Sequence, residues 1–301
     1  MRIGYPCINT TLDCKAGRTF RLKSYSEERL TATVQSNLDC LLRILEFNAR
    51  NDLLFFRITS DLIPFASHPV CLFNWQERFA ARFSYVGRLA RRHAMRISMH
   101  PDQFVVINSP KEEVVENSLR ELAYHAEVLD LMELDESAKI QIHVGGVYGD
   151  HAAGMARFVK RYLMLSEAIR RRLVVENDER SYTLSDCLAV STEAGIPVLF
   201  DAFHHQVHNR GETVAEALRL AARTWKKEDG PPMVDYSQAA PGKTRGSHAA
   251  SVDVREFQRF LAETRPLDFD VMLEIKDKEK SALRAVRAAR RDARLVTTGP
   301  A

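Results

Sequence analysis

The feature that most restricts the fold of this 301-residue chain is an eightfold alternation of short apolar runs with helix-length amphipathic segments. The runs are Arg2–Cys7, Leu53–Thr59, Arg96–His100, Ile140–Val144, Leu173–Glu176, Val198–Asp201, Pro232–Tyr236 and Val271–Ile275. The segments that follow them read as helices over about Glu27–Asn48, Trp75–His93, Glu112–Leu134, Ala153–Arg172, Leu184–Ala194, Thr213–Trp225, Val254–Ala262 and Lys278–Ala293. Runs this apolar mark strands covered on both faces, and parallel strands need a crossover helix between them. Eight such units close a barrel. The expected architecture is therefore α/β, a single (β/α)8 TIM barrel with a parallel eight-stranded core over residues 1–295 and a frayed tail over residues 296–301. Ser24-Tyr25-Ser26-Glu27 has capping-box spacing, which lets the first helix begin a residue or two before Glu27. Ser185 with Asp186 marks the start of the fifth helix and Gly195-Ile196-Pro197 its end.

Apolar residues make up 45% and charged residues 28%, so the chain has the material for a large core and is not disordered. The five cysteines, Cys7, Cys14, Cys40, Cys71 and Cys187, are odd in number and never spaced C-x-x-C. That pattern indicates neither a disulfide framework nor a zinc ribbon, and a reducing cytoplasm is the expected compartment. The start Met1-Arg2-Ile3-Gly4-Tyr5-Pro6 lacks a signal-peptide core, and no run approaches the roughly 18 apolar residues of a membrane span, so no membrane partner is expected. A net charge of +3 is too small to argue for nucleic acid without the distribution of that charge.

Catalytic groups on such a barrel sit at the C-terminal ends of strands and in the loops that follow. Here the ends carry Ser98-Met99-His100, Gln141-Ile142-His143, Val175-Glu176-Asn177-Asp178, Asp201 with His204, Asp235, and Leu273-Glu274-Ile275-Lys276. Any one of these has an ordinary structural explanation, since a single strand-end histidine is more often a satisfied core residue than a ligand. Their recurrence on six consecutive strands points instead to a metal site, with His248 in the seventh loop and His68 in the second above the same rim. His93, His125, His151 and His208 fall on helices or loop flanks and receive no role. Carboxylate oxygen with imidazole nitrogen suits Zn²⁺, Mn²⁺ or Fe²⁺ better than Ca²⁺ or Mg²⁺. Four carboxylates and four or five histidines exceed what one ion needs, so two or three divalent ions are expected, with Glu176 on the central strand of the set placed to bridge two of them. Such a site favours phosphate ester hydrolysis, with Glu176, Asp201, Glu274 and His143 as its catalytic core.

The loops point the same way. The first, from Thr10 to about Ser24, carries Lys15, Arg18, Arg21 and Lys23 beside Phe20, with Tyr25 just beyond, and the seventh carries Lys243 and Arg245 among glycines. Cations around a metal-bearing rim suit a polyanionic substrate. Gln103 and Phe104 follow His100-Pro101-Asp102, placing an amide and an aromatic ring where an unstacked base would be replaced.

Taken together, Gly4-Tyr5-Pro6-Cys7-Ile8-Asn9, Arg57-Ile58-Thr59-Ser60-Asp61-Leu62, His100-Pro101-Asp102-Gln103-Phe104, His143-Val144-Gly145-Gly146, Glu176-Asn177-Asp178-Glu179, Asp201-Ala202-Phe203-His204-His205 and Glu274-Ile275-Lys276-Asp277-Lys278 resemble the motifs of the UV damage endonuclease family. These are metal-dependent TIM-barrel DNA repair enzymes similar to endonuclease IV. The resemblance implies a three-ion site: His100, His143 and Glu176 for one ion; Glu176, Asp201, the strand-seven ligand and Glu274 for a second; His204 and His248 with another group for a third. It implies Mn²⁺, with Zn²⁺ as an alternative, and a damaged double-stranded DNA substrate cut immediately 5′ of a photolesion to leave 3′-hydroxyl and 5′-phosphate ends. It also implies that Tyr5, Asn9, Gln103 and Phe104 contact or probe damaged bases, and His68, Lys243 and Arg245 are expected to join them in binding substrate. A monomer without protein partners is expected. Met233-Val234-Asp235-Tyr236-Ser237 departs from the Lys-x-His-x-Ser of the family, so Asp235 supplies an oxygen where a neutral nitrogen is usual and Met233 cannot become a modified lysine; Phe104 replaces a tyrosine. Two other readings are open: a xylose-isomerase-like sugar isomerase or epimerase, which uses a similar barrel with one or two metals but needs fewer histidines and no cationic loops, and a lesion-binding protein that does not cut.

Overall fold

In the computed structural model, which describes residues 1–240, 242–244 and 246–299, the strands are β1 (Ile3–Pro6), β2 (Phe55–Ile58), β3 (Arg96–Met99), β4 (Lys139–His143), β5 (Leu173–Glu176), β6 (Val198–Asp201), β7 (Met233–Tyr236) and β8 (Asp270–Leu273). They pair in parallel and close in sequence order, β8 returning to β1. Outside lie α1 (Glu27–Arg50), α2 (Trp75–Arg92), α3 (Glu112–Leu131), α4 (His151–Met164), α5 (Glu167–Arg170), α6 (Leu184–Ala194), α7 (Ala202–Val207), α8 (Val214–Ala222), α9 (Val254–Glu263) and α10 (Glu279–Ala289). The expected TIM barrel is the observed fold.

Successive strand residues face opposite sides of the sheet, and this period of two builds the site. Phe55, Val174, Leu199, Met233 and Met272 meet inside the barrel as an apolar plug. Two positions further along the same strands come Arg57, Glu176, Asp201, Asp235 and Glu274, which therefore face the interior one layer higher, at the C-terminal end. Outward-facing Phe56, Val175, Phe200 and Val234 join the larger core beneath the helices. The opposite end of the barrel is closed by ions: Asp270 pairs with Arg96 at 3.0 Å and with Arg2 at 3.1 Å, and Lys139 pairs with Asp229. β1 approaches β2 so closely that a Cβ at Gly4 would lie 1.8 Å from the Phe55 carbonyl oxygen, a place only glycine can fill.

Several local expectations are corrected. The segment Ala153–Arg172 is two helices, because Leu165 and Ser166 take extended ψ values of 152° and 151°. α1 begins at Glu27, capped by Ser26, whose hydroxyl accepts from the Arg29 amide at 3.2 Å, and not ahead of it at Ser24. α6 is capped by Thr183 in a reciprocal box with Asp186, not by Ser185; Gly195 does end it, at a left-handed φ of 72°. Cys14 and Cys40 form a disulfide across 26 residues, against the expectation of none, and leave Cys7, Cys71 and Cys187 free. The pair joins a loop to a helix flank, a proximity that spacing does not encode. At the C-terminus, the Val296 amide donates to the Met1 carbonyl at 2.9 Å, and Thr298 donates to Asp52 through its amide at 2.8 Å and its hydroxyl at 2.7 Å. The expected frayed tail is thus fastened over residues 296–298, while Pro300 and Ala301 lie outside the described residues. Among the described residues no helix is long and apolar enough to cross a membrane.

Candidate metal centre

Glu176 ends β5 as a buried carboxylate surrounded by imidazoles. Its Oε2 lies 3.8 Å from His100 Nε2 and 3.9 Å from His143 Nε2, and its Oε1 lies 3.4 Å from His204 Nδ1. Asp201, the last residue of β6, caps α7: its Oδ1 accepts from the His204 amide at 2.7 Å. This turn brings the His204 ring back over the strand end, with Nδ1 3.5 Å from Asp201 Oδ2. Asn177 fixes the Asp201 backbone from both sides, accepting from its amide and donating to its carbonyl, each at 3.0 Å. Two ligands about 2.0–2.2 Å from one ion stand about 3.3–3.6 Å apart in tetrahedral geometry, close to the separations of the His100 and His143 Nε2 atoms from Glu176, while His204, whose Nδ1 donates to the Asn177 carbonyl at 3.0 Å, offers its Nε2. Oxygen and nitrogen atoms within 4.8 Å of one another form the groups His100–His143–Glu176, Glu176–Asp201–His204 and Asp201–Asp235–Glu274. The second fits a divalent ion on a further ground. Asp201 Oδ2 is buried without a hydrogen-bond partner, a state that costs free energy unless a cation completes it.

Burial pushes His100 down to about 4, so its imidazole is neutral and free to donate a lone pair. Burial alone would raise Glu176, but His143, His204 and His100 outweigh it and hold the carboxyl well below the usual range. Asp201 is pushed up to about 6 by burial, which His204 opposes. Burial would lower His204, yet Asp201 and Glu176 carry it up to about 11. In the metal-free protein the His204 imidazolium therefore supplies positive charge that an ion would replace. Burial raises Asp235, and the Arg57 guanidinium bonded to both its oxygens is the main influence favouring the charged form.

Two residues to which sequence reasoning gave no role organise the other side. Arg57 Nη2 donates to both Asp235 oxygens, at 2.8 and 2.7 Å, and its Nη1 pairs with Glu274. Gln141 Nε2 donates to Glu176 Oε2 and to Asp235 Oδ2, each at 2.8 Å. Their signal was present: each is a polar side chain in register with the inward-facing residues of its strand. His248 Nδ1 lies 2.7 Å from the Glu274 carbonyl oxygen, to which it donates, leaving Nε2 with the lone pair; its ring is 6.5 Å from that of His204.

The expected substrate contacts divide. Gln103 lines both clefts that flank the cluster, one of about 340 Å³ against His143 and Ser181, the other of about 660 Å³ against Arg57, His248 and Lys278. Phe104 is 52% exposed beside it. Tyr5 and Asn9 are buried instead: the Tyr5 hydroxyl donates to Asn48 at 2.7 Å and accepts from Asn9 at 2.9 Å. They support the turn after β1, which presents Ile8, 49% exposed, in their place. His68 is exposed on the loop after β2, accepts from the Val70 amide at 3.1 Å and belongs to none of the ligand groups. Lys243 is exposed on a loop closed by the Ala239–His248 bridge, and Arg245 lies outside the described residues. Lys15, Arg18, Arg21 and Lys23 are exposed on the first loop. That loop is anchored by the disulfide, by Asn37 holding the Arg18 amide at 2.9 Å and carbonyl at 3.0 Å, and by Glu279 accepting from Thr10. Lys276 and Lys278, which sequence reasoning passed over as cations, line the larger cleft.

The family model described as UV-endonuclease UvdE matches residues 1–298. A UV DNA damage endonuclease of Clostridium perfringens is 38% identical over 288 residues, 95% of this chain and 70% of that protein. The crystal structure of SacUVDE superposes with a TM-score of 0.92 at 45% identity, covering 96% of this chain and 98% of that one. Endonuclease IV from Thermus thermophilus (TM-score 0.54, 18% identity, 83% of this chain and 93% of that one) is similar in fold alone. The same holds for a D-psicose 3-epimerase from Clostridium cellulolyticum (TM-score 0.55, 12% identity, 85% and 93%).

Proposed function

The chain belongs to the UV-endonuclease UvdE family, and from that premise we propose that it is a metal-dependent DNA repair endonuclease that hydrolyses the phosphodiester immediately 5′ of a UV photolesion, leaving 3′-hydroxyl and 5′-phosphate ends. The observation that carries this reading is Glu176 standing between two imidazoles on one side and the Asp201–His204 pair on the other, at a rim ringed by cationic loops. Divalent ions held there, Mn²⁺ first and Zn²⁺ as the alternative, supply Lewis acidity toward water and a phosphate oxygen. His100, His143 and Glu176 would hold one ion, and Glu176, Asp201 and His204 another, so Glu176 would serve both. Gln141 and Asn177 keep Glu176 and Asp201 aimed while the reaction proceeds, the support that ligands of a metal site require. His143, Asp201 and Glu274 complete the set around the reacting phosphate.

Lys15, Arg18, Arg21, Lys23 and Lys243 bind the backbone of double-stranded DNA, a sequence-independent and salt-sensitive contact. Gln103, which lines both clefts, and the exposed Phe104 next to it in sequence would occupy the space left by unstacked bases. On this reading it acts on chromosomal DNA as a cytoplasmic monomer. The epimerase likeness rests on fold, and a sugar would not use these cations.

The test is an end-labelled duplex, UV-irradiated or intact, incubated with the purified protein in Mn²⁺ or EDTA. A Mn²⁺-dependent break immediately 5′ of the lesion is expected, and Glu176→Ala should lower its rate by about 100-fold or more, given that supporting residues alone are worth about 10–100-fold. Binding of irradiated duplex with no break would leave a lesion sensor, and turnover of free ketohexose would replace the nuclease with an epimerase.

A further inference from the structure

Asp201, Asp235 and Glu274 bring one oxygen each within 4.8 Å of one another, which would ordinarily make a third ion compartment. The protein already fills it. Both Asp235 oxygens accept from Arg57 Nη2, at 2.8 and 2.7 Å, Glu274 pairs with Nη1, and Gln141 adds a 2.8 Å bond to Asp235 Oδ2. The Arg57 and Asp235 side chains are 3% and 0% exposed, so water cannot screen the pair. A guanidinium does not lose its proton in a protein, and a dication bound by Asp235 would stand directly against it.

We propose that Arg57 is the resident cation of this compartment, that Asp235 is its counter-ion and not a metal ligand, and that the centre holds two divalent ions. The inference rests on the nuclease reading only for its premise that the other two groups bind ions. Glu274 is shared: one oxygen pairs with Arg57, while Oε2, 3.8 Å from His248 Nδ1, still faces the cluster. Charge leads to the same count. Glu176, Asp201, Asp235 and Glu274 bring four negative charges and Arg57 one positive. Two dications then leave a net single positive charge, which one phosphodiester cancels, whereas a third would leave three, of which that phosphodiester offsets only one. Arg57 also differs from an ion in staying put: chelation strips the ions and leaves this charge, with its hold on Glu274, in place.

The experiment is Mn²⁺ stoichiometry, by equilibrium dialysis and elemental analysis, on the full chain. Wild type should bind two ions per chain, Asp235→Asn should still bind two, and Arg57→Met, which frees both carboxylates, should bind three. Three ions on wild type, loss of one on Asp235→Asn, or two on an Arg57→Met protein with a native circular dichroism spectrum each overturns the proposal. If Arg57→Met does not fold, wild type and Asp235→Asn decide it. Incision of irradiated duplex, measured in parallel, separates the two readings: two ions without incision sinks the nuclease alone, and three ions with incision sinks this inference alone.

Discussion

His204 couples the centre to pH. Its imidazole is carried up to about 11 by Asp201 and Glu176 against the lowering effect of burial, while an ion needs the nitrogen lone pair that this proton occupies. Loading must therefore expel the proton, and Mn²⁺ affinity should rise with pH through the neutral range. Calorimetry at about pH 7.5 in buffers of different ionisation enthalpy should register release of about one proton per chain, and a His204→Asn variant should release none. The sign for the metal-free protein is opposite. A histidine raised from 6.5 to about 11 stabilises the fold fully below about 6.5, and that contribution is lost as pH rises through 11. Urea denaturation in EDTA should show this alkaline decline in wild type and a flatter profile in the variant. At this scale sequence reasoning succeeded with residue types and failed with partners. Tyr5 and Asn9 carry hydrogen-bonding groups that suit a base, but those groups bond to each other and to Asn48, so the exposed side chain of their turn is Ile8.

Among elements, strands were the most legible, because an inward ligand two positions beyond an inward apolar residue is a local pattern with a fixed period. Helix ends were less so. α7 is six residues long and exists because Asp201 caps it, so a stretch that reads as a row of ligands is also a helical turn. The first βα loop shows the largest gap between sequence and structure. Its length and cations were evident, but its anchors are Cys40 and Asn37 on α1 and Glu279 on α10, none of them neighbours in sequence. Closing a 26-residue loop removes enough freedom from the unfolded chain to stabilise the fold by about 3–4 kcal/mol in the chain-entropy description. Cys14→Ser should lose about that much in oxidising buffer, measured by urea denaturation. In reducing buffer it should match wild type, and an equal loss there would mean that packing of the thiol, not the cross-link, matters.

For the whole molecule, ions that bind only the folded barrel must stabilise it by mass action, about 2.7 kcal/mol per site at a hundredfold excess over Kd. In a chain of this size that is a rise of several degrees in Tm, so EDTA should lower the melting temperature and Mn²⁺ restore it. An unchanged transition would mean that the strand-end cluster is a closed network of its own charges. The sequence by itself determined the number of βα units, the rim on which ligands gather and the chemical types they offer, since apolarity, period and turn residues are local properties of a chain. Only the tertiary structure decided which of those groups face a metal and which satisfy one another. Asp235 has the residue type and position of a ligand, yet its partner is an arginine 178 residues away, brought beside it when the barrel closes.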